Sequence, residues 1–337
     1  MDIVVKSFFR PYYLERCLTS ILTYVKGNYQ ITILDDGTPE IYLEKILKSF
    51  PGVRILKSEE YENKIDLIEQ HLAGKKAYSN SIMPVELWKS CINECSDYLL
   101  LLEEDNWITE EISIEAIEKA MIENDLLIVK MGWNNNSLMI GDNVKKISDD
   151  VEELITEIPI QSLGLMKFYL RDRFKIKSIL NKLNLVTVKS LLPYYRLYTV
   201  SAAFFNRTYW QYLWSDAKPK IDEPSQLLKS LTWKNEGKGG RYGKSVSEII
   251  RTSFLTASTN RLKSVDFDMI RLNHILNQAW LSNELDANHN FPNDFSVEYL
   301  GELIEIKNDP LCTVTQWIAW VTLFKSLHRT AGSEIDY

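Results

Sequence analysis

Two short acidic strings carry the first chemical signal. Asp35 and Asp36 precede Gly37, and Glu103, Glu104 and Asp105 follow the four consecutive leucines Leu99–Leu102. Both strings close an apolar, β-rich run, so the acids arrive at the carboxyl end of a strand. Carboxylates delivered to a sheet rim are costly to desolvate unless they meet donors or a cation. Magnesium or manganese bridging a nucleotide diphosphate meets that need, because hard cations favour oxygen ligands and share them with phosphates. The plainer alternative is acids that solvate turns or cap helices. It loses ground when two such strings end separate strands of one sheet.

Other candidate groups point to less. The stretch Trp233–Ser245 is Gly-rich and basic and reads as a loop. It is not a P-loop, since Lys238 stands where the first Gly is needed and no apolar strand precedes it. Lys238, Arg241 and Lys244 can close over a diphosphate as a mobile loop, or decorate a plain surface one. Cys91 and Cys95 share a helical face, but no second pair completes a zinc set, so with Cys17 and Cys312 they read as buried thiols. The histidines (His71, His274, His289 and His328) are far apart and read as structural, with His289 the one to test. Tryptophans 107, 133, 210, 214 and 233 suit either sugar stacking or core packing.

The elements that must position these acids follow from periodicity. Ile3–Phe9 is a strand, and Pro11 opens a helix whose Leu14, Leu18, Ile21, Leu22 and Val25 recur at helical spacing. Ile31–Pro39 is a second strand and turn, Glu40–Phe50 a helix, and Val53–Lys57 a third strand. Pro84–Cys95 is a helix, Tyr98–Trp107 a buried strand with an acidic end, and Asp125–Trp133 another strand. This alternation is that of an open α/β sheet, with ligands at the carboxyl ends of the strands. Past Asn134 the pattern changes. Gln161–Tyr195 is basic, aromatic and helical in pattern, a strand is expected at Thr199–Asn206, and the last hundred residues read as mainly helical.

The chain has 337 residues, 45% of them hydrophobic, which is enough for one large domain or two packed lobes. Its net charge of −7 argues against nucleic acid as a partner. The charge is uneven: residues 1–150 hold 16 basic and 26 acidic side chains, whereas 151–337 hold 23 and 20. We therefore expect two lobes, 1–150 and 151–337. No run of about 20 apolar residues and no signal-peptide pattern occurs, so a soluble, cytoplasmic protein is expected. The segment 167–196 has eight basic residues against Asp172, with aromatics interleaved. It is a candidate for peripheral contact with an anionic membrane at the inner face, or for a solvated helix face.

In order and spacing, SFFRPYYLERCLTSIL, ILDDGTP and LLLLEEDNW resemble the donor domain of GT-A glycosyltransferases, particularly the family-2 group. The resemblance spans residues 1–133. The Glu103-Glu104-Asp105 string also resembles the Glu-Asp-Asp triplet of some N-acetylglucosaminyltransferases. It departs from the family at Phe9, where Asn is common, and at Glu103, where Asp is usual.

The resemblance implies a Rossmann-like GT-A sheet that binds a nucleotide sugar, with a mixed, largely helical acceptor lobe after it. The implied activity is metal-dependent transfer of a hexosyl or N-acetylhexosaminyl group. The donor would be a UDP-sugar, the cation manganese or magnesium, and the acceptor a glycan, a lipid-linked group or a protein. Lys6, Ser7 and Phe8 would border base and ribose, and Arg10 would approach the diphosphate. Asp36, with Asp35 beside it, would accept a hydrogen bond from the base. Glu103 and Glu104 would face the ribose and hydrated metal, and Asp105 would bind the metal. An inverting transferase also needs a carboxylate to take the acceptor proton. Its expected place, after a small-residue strand and a helix, makes Glu223 the first candidate and Asp222 the second, with Asp266 and Asp268 behind them. The alternatives are a sugar-phosphate nucleotidyltransferase, disfavoured because KSFFRP lacks glycine, and a non-catalytic binder of nucleotide sugars or of a partner.

Overall fold

The computed structural model describes residues 1–172, 175, 178–179, 182, 188–220, 222–258, 262, 264–265 and 267–335. The strands are β1 (Asp2–Ser7), β2 (Val25–Lys26), β3 (Gln30–Asp35), β4 (Arg54–Lys57), β5 (Tyr98–Glu103), β6 (Asn106–Ile108) and β7 (Ile112–Ser113). They continue with β8 (Leu126–Lys130), β9 (Val144–Lys146), β10 (Val151–Leu154), β11 (Ala203–Asn206), β12 (Arg241–Ser245) and β13 (Ile250–Thr252). Among the described residues nine of them form one sheet, in the order β4-β3-β1-β5-β11-β8-β12-β10-β9. The β4-β3-β1-β5 side is parallel, and β11 runs antiparallel between β5 and β8. The expected α/β class is the class found.

Side chains that alternate along a strand feed two cores. Ile3 and Val5 of β1, with Leu100 and Leu102 of β5, enter one core, while Val4, Leu99 and Leu101 enter the other. That explains why both strands read as unbroken apolar runs: each is covered on both faces. Helix α1 (Pro11–Tyr24) covers the first face, with Pro11 at its first turn and Leu14, Cys17, Leu18 and Ile21 buried. Leu22 is exposed and belongs to the solvent side. Helices α2 (Glu40–Ser49), α3 (Tyr61–Leu72), α4 (Val85–Glu94) and α5 (Ile114–Glu123) complete the first stretch.

The later chain adds α6 (Leu163–Leu170), α7 (Arg207–Trp214), α8 (Glu223–Asn235), α9 (Met269–Leu281), α10 (Val297–Lys307) and α11 (Val314–Ala331). Its largely helical character matches the expectation. Residue 150, however, does not divide the sheet, because β10, β11 and β12 come from beyond it. Strand β11 completes the centre with Ala203 between Leu101 and Lys130.

Two local readings are corrected. The run from Tyr98 to Trp107 is two strands: β5 stops at Glu103 and β6 pairs with β13 in a separate ribbon. The break is fixed by the Glu104 N–H donating to the Lys6 carbonyl and the Glu103 N–H donating to Asn106 Oδ1. The Gly-rich stretch Trp233–Ser245 is not a loop over a ligand. It is the end of α8, a turn with Gly237, Gly239 and Gly240 at positive φ, and then β12. Its cations are spent on Glu236, Glu153 and Glu152, which pair with Lys238, Arg241 and Lys244 at 3.0, 3.0 and 2.7 Å.

Within 167–196, Arg173 and Lys177 lie outside the described residues, and the remainder includes the end of α6 and a 3₁₀ stretch at Val188–Arg196. All four cysteines are free and buried, as expected. Among the described residues no helix is long and apolar enough to cross a membrane.

Candidate functional site

The register of three parallel strands brings the two acidic strings together. Ser7 lies beside Asp35, and Lys6 beside Glu103, so the ends of β3 and β5 flank the end of β1. A cavity of about 850 Å³ opens there. Lys6, Ser7, Phe8, Arg10, Asp36, Glu103, Glu104, Asp105, Asp222 and Glu223 all line it; among the residues singled out for the site, Asp35 does not.

Asp35 is fully buried and works inside the turn. Its Oδ1 accepts from the N–H groups of Gly37 and Thr38 at 3.1 and 2.7 Å, and its Oδ2 from the Thr38 hydroxyl at 2.7 Å. Burial pushes its carboxyl up to about 6 against these hydrogen bonds. Asp36 is turned the other way and pairs with Lys64, which also donates to the Ile82 carbonyl at 2.6 Å. Burial raises the Asp36 carboxyl, and Lys64 opposes the rise. Gly37 has φ 132°, and a Cβ there would lie 2.9 Å from the Lys64 Cβ, so the turn needs glycine.

The second acidic string is paired residue by residue. Lys6 Nζ meets Glu103 Oε1 at 2.9 Å and donates to the Val200 carbonyl at 3.2 Å, while Ser201 Oγ donates to Glu103 Oε2 at 3.2 Å. Arg10 Nε and Nη2 meet Glu104 Oε1 at 2.9 and 2.8 Å, and Nη2 meets Asp105 Oδ2 at 3.0 Å. Burial lifts Glu104 to about 7, with Arg10 opposing, and Asp105 is also raised. Arg10 is aimed by Phe9, a bulky residue at φ 55° whose N–H donates to Thr38 Oγ1 at 2.9 Å and whose carbonyl accepts from Asn277 Nδ2 at 3.1 Å.

Glu223, which also lines the cavity, sits in the first turn of α8, beside Pro224, and accepts from the Tyr195 hydroxyl at 2.8 Å. Asp222 precedes that helix and accepts from Ser225 Oγ at 2.6 Å. Glu223 thus both starts a helix and lines the cavity. Tyr198, Trp88 and Trp214 also line the cavity; among the described residues their buried O–H and indole N–H groups have no hydrogen-bond partner. Trp88 and Trp214 meet edge to face at 5.3 Å, and Lys6 Nζ stands 4.9 Å from the Trp88 ring centre. Asp268 caps α9 and accepts from His71 Nε2 at 2.7 Å, while His71 Nδ1 accepts from the Tyr78 N–H. Asp266 lies outside the described residues. His289 stacks on Tyr299 at 3.8 Å, away from the cavity.

The acid string was expected to hold a divalent cation, and its oxygens suit one chemically. Their arrangement does not. Among the described residues no group of three metal-ligating side chains is gathered for an ion. Glu104 and Asp105 instead converge on the guanidinium of Arg10, whose side chain is 4% exposed. As they stand, these residues fit an internal ion-pair cluster rather than a metal site.

Residue-by-residue reading missed Lys64, Tyr195, Tyr198, Ser201 and Trp88. None had a sequence signal of its own: each is brought in by long-range packing.

No family model matches the chain, and no curated protein matches it. Among solved structures it is similar to S. aureus TarS 1–349 in complex with UDP-GlcNAc, at 13% identity over 98% of this chain and 91% of that one, with a TM-score of 0.43. A second likeness, to the galactosyltransferase LgtC in complex with donor and acceptor sugar analogs, has 10% identity over 68% and 70% of the two chains and a TM-score of 0.32. Against the longer S. aureus TarS chain, this chain spans 42% of the length, at 12% identity and a TM-score of 0.40.

Proposed function

We propose that the protein transfers a sugar from a nucleoside-diphosphate donor, a UDP-sugar, to an acceptor hydroxyl. The observation that supports this most is the single cavity that joins three things. It has an acid at a strand end, Asp36; two cations, Lys6 and Arg10; and a further carboxylate at a helix start, Glu223. In this reading Ser7, Phe8 and Asp36 border base and ribose. Lys6 and Arg10 face the diphosphate, whose charge suits them.

The anomeric carbon would lose its bond to the phosphate oxygen and gain one to the acceptor oxygen, with inversion. Glu223 would take the acceptor proton and the diphosphate would leave with the bonding electrons. Tyr195, donating to Glu223, would hold the carboxylate in place. The partnerless donors on Tyr198, Trp88 and Trp214 suit oxygen-rich sugars.

Residues 1–150 would then supply the donor side, and 151–337 most of the acceptor side. The acceptor itself would be a glycan, a lipid-linked group or a protein. The exposed apolar side chains Ile155, Ile160, Leu165 and Phe168, near Lys167, support peripheral membrane contact. Vesicle flotation with anionic lipid would test it.

The deciding experiment is a thermal-shift panel of nucleoside diphosphates and nucleotide sugars, followed by hydrolysis and transfer assays. A binder of the native state raises its apparent stability by mass action. No shift with any nucleoside diphosphate would defeat the reading. A shift without turnover on any acceptor would favour the non-catalytic binder.

A further inference from the structure

We propose that Arg10 is the fixed cation of this site, standing where a divalent ion would otherwise bridge the acid turn and the donor diphosphate, so that nucleotide binding does not require metal. This rests on the nucleotide-sugar reading above and deepens it.

Three observations carry the inference. The first is occupancy. Two carboxylates that a metal would need, Glu104 and Asp105, already place an oxygen each on Arg10 Nη2, at 2.8 and 3.0 Å, and Nε holds Glu104 as well. An ion entering there would have to displace a guanidinium from charge-assisted hydrogen bonds in a site shielded from water, or lie against it as a like charge.

The second is rigidity. The backbone at Phe9 is held at positive φ by hydrogen bonds on both sides, from its N–H to Thr38 and to its carbonyl from Asn277. The Arg10 carbonyl accepts from the N–H groups of Tyr13 and Leu14, both at 3.1 Å, which starts α1. The guanidinium stands 5.7 Å from the Tyr13 ring centre. Arg10 is thus anchored from the main chain outward.

The third is unused capacity. Arg10 Nη1 is buried with no hydrogen-bond partner among the described residues, on a residue that lines the cavity. A guanidinium has five N–H donors in a planar fork that matches phosphate oxygens, so an open nitrogen beside two satisfied ones is ready for an anion. Lys6, paired with Glu103 on the neighbouring strand, adds a second cation to the same wall.

The test is calorimetric titration of the full chain with UDP and the other nucleoside diphosphates, in EDTA and again in manganese or magnesium. We expect the preferred nucleotide to bind in EDTA with a Kd within about threefold of its value in manganese. Arg10→Gln should weaken binding in EDTA by roughly 100-fold, the scale of losing a charge-assisted contact and exposing its partners. Arg10→Lys should recover part of that loss. Circular dichroism and melting of each variant would show that the fold persists.

Wild-type affinity that rises tenfold or more with manganese would overturn the inference while leaving the nucleotide reading intact. So would undiminished binding by a folded Arg10→Gln. If neither variant folds, the wild-type comparison decides alone. Failure of every nucleoside diphosphate to bind in every condition would remove the nucleotide reading itself, and this inference with it.

Discussion

Removing Asp36 should separate its structural role from its ligand role. The Asp36 carboxylate and the Lys64 ammonium form a buried pair, with the residues 7% and 3% exposed. Asp36→Ala leaves Lys64 charged in a poorly solvated place, and breaking a buried pair from one side costs about 3–5 kcal/mol. Lys64 keeps its bond to the Ile82 carbonyl at 2.6 Å, so the expected loss is at the low end, roughly 3 kcal/mol. Lys64→Met in the same chain removes the stranded charge and fills a similar volume. The double variant should therefore recover most of the stability, with a coupling of roughly 2–3 kcal/mol in a double-mutant cycle. UDP binding should fall in Asp36→Ala and stay low in the double variant, because the proposed acceptor for the base is gone in both. Denaturant unfolding read by circular dichroism gives the first quantity and calorimetry with UDP the second. A double variant no more stable than Asp36→Ala would refute the charge argument, and UDP binding restored by Lys64→Met would refute the placement of Asp36 against the base.

Glu223→Gln should lower transfer by about 10²–10⁴ with UDP binding kept, as expected for losing a general base; near-normal turnover would move that role to Asp222. Tyr195→Phe should cost turnover far less, about threefold to tenfold, and leave donor affinity unchanged, since it removes one hydrogen bond to the base. Lys130 is fully buried with no partner for Nζ among the described residues, and burial lowers it to about 7. The unfolded chain keeps that proton up to about pH 10 while the folded chain sheds it near 7, so this group costs most stability below pH 7, and its cost shrinks as pH rises toward 10. Lys130→Met should therefore stabilise by roughly 2–4 kcal/mol at neutral pH, with the gain shrinking by pH 10 in denaturant unfolding. Gly37→Ala should destabilise and weaken UDP binding together, because the added Cβ meets Lys64.

What the sequence revealed was local, and what it hid was long-range. The apolar stripe of α1, the double-sided strands β1 and β5, and the acids at strand ends all follow from spacing and side-chain type. The insertion of β11 between β5 and β8 does not, because an antiparallel partner arriving a hundred residues later leaves no periodic trace. The same holds for Lys64 and Tyr195, which lie on ordinary amphipathic or aromatic stretches and acquire a role only when α3 and α8 pack beside the cavity. The Gly-rich basic stretch misled for a physical reason: its glycines serve a tight turn into β12, and its lysines and arginine answer the acids of β10 and a neighbouring glutamate. That Arg10 would approach a diphosphate was implied by the family resemblance. That it also neutralises Glu104 and Asp105 was not, since pairing across 94 and 95 residues depends on strand register.

The cavity wall concentrates charge where a sheet would otherwise bury none. Three carboxylates and two cations stand within reach of one another at the ends of β1 and β5, and a second pair stands at the end of β3. Such clusters contribute little net stability, because desolvation offsets most of their attraction. Hydrophobic residues of similar volume would hold the same strands together as well. The charged cluster at the carboxyl edge of a parallel sheet is better explained by what preorganised charges would do for the proposed diphosphate ligand, which they would meet already oriented. The strained backbone at Phe9 fits that account: a bulky residue held at positive φ sets Arg10 against the acid turn while its ring fills the core.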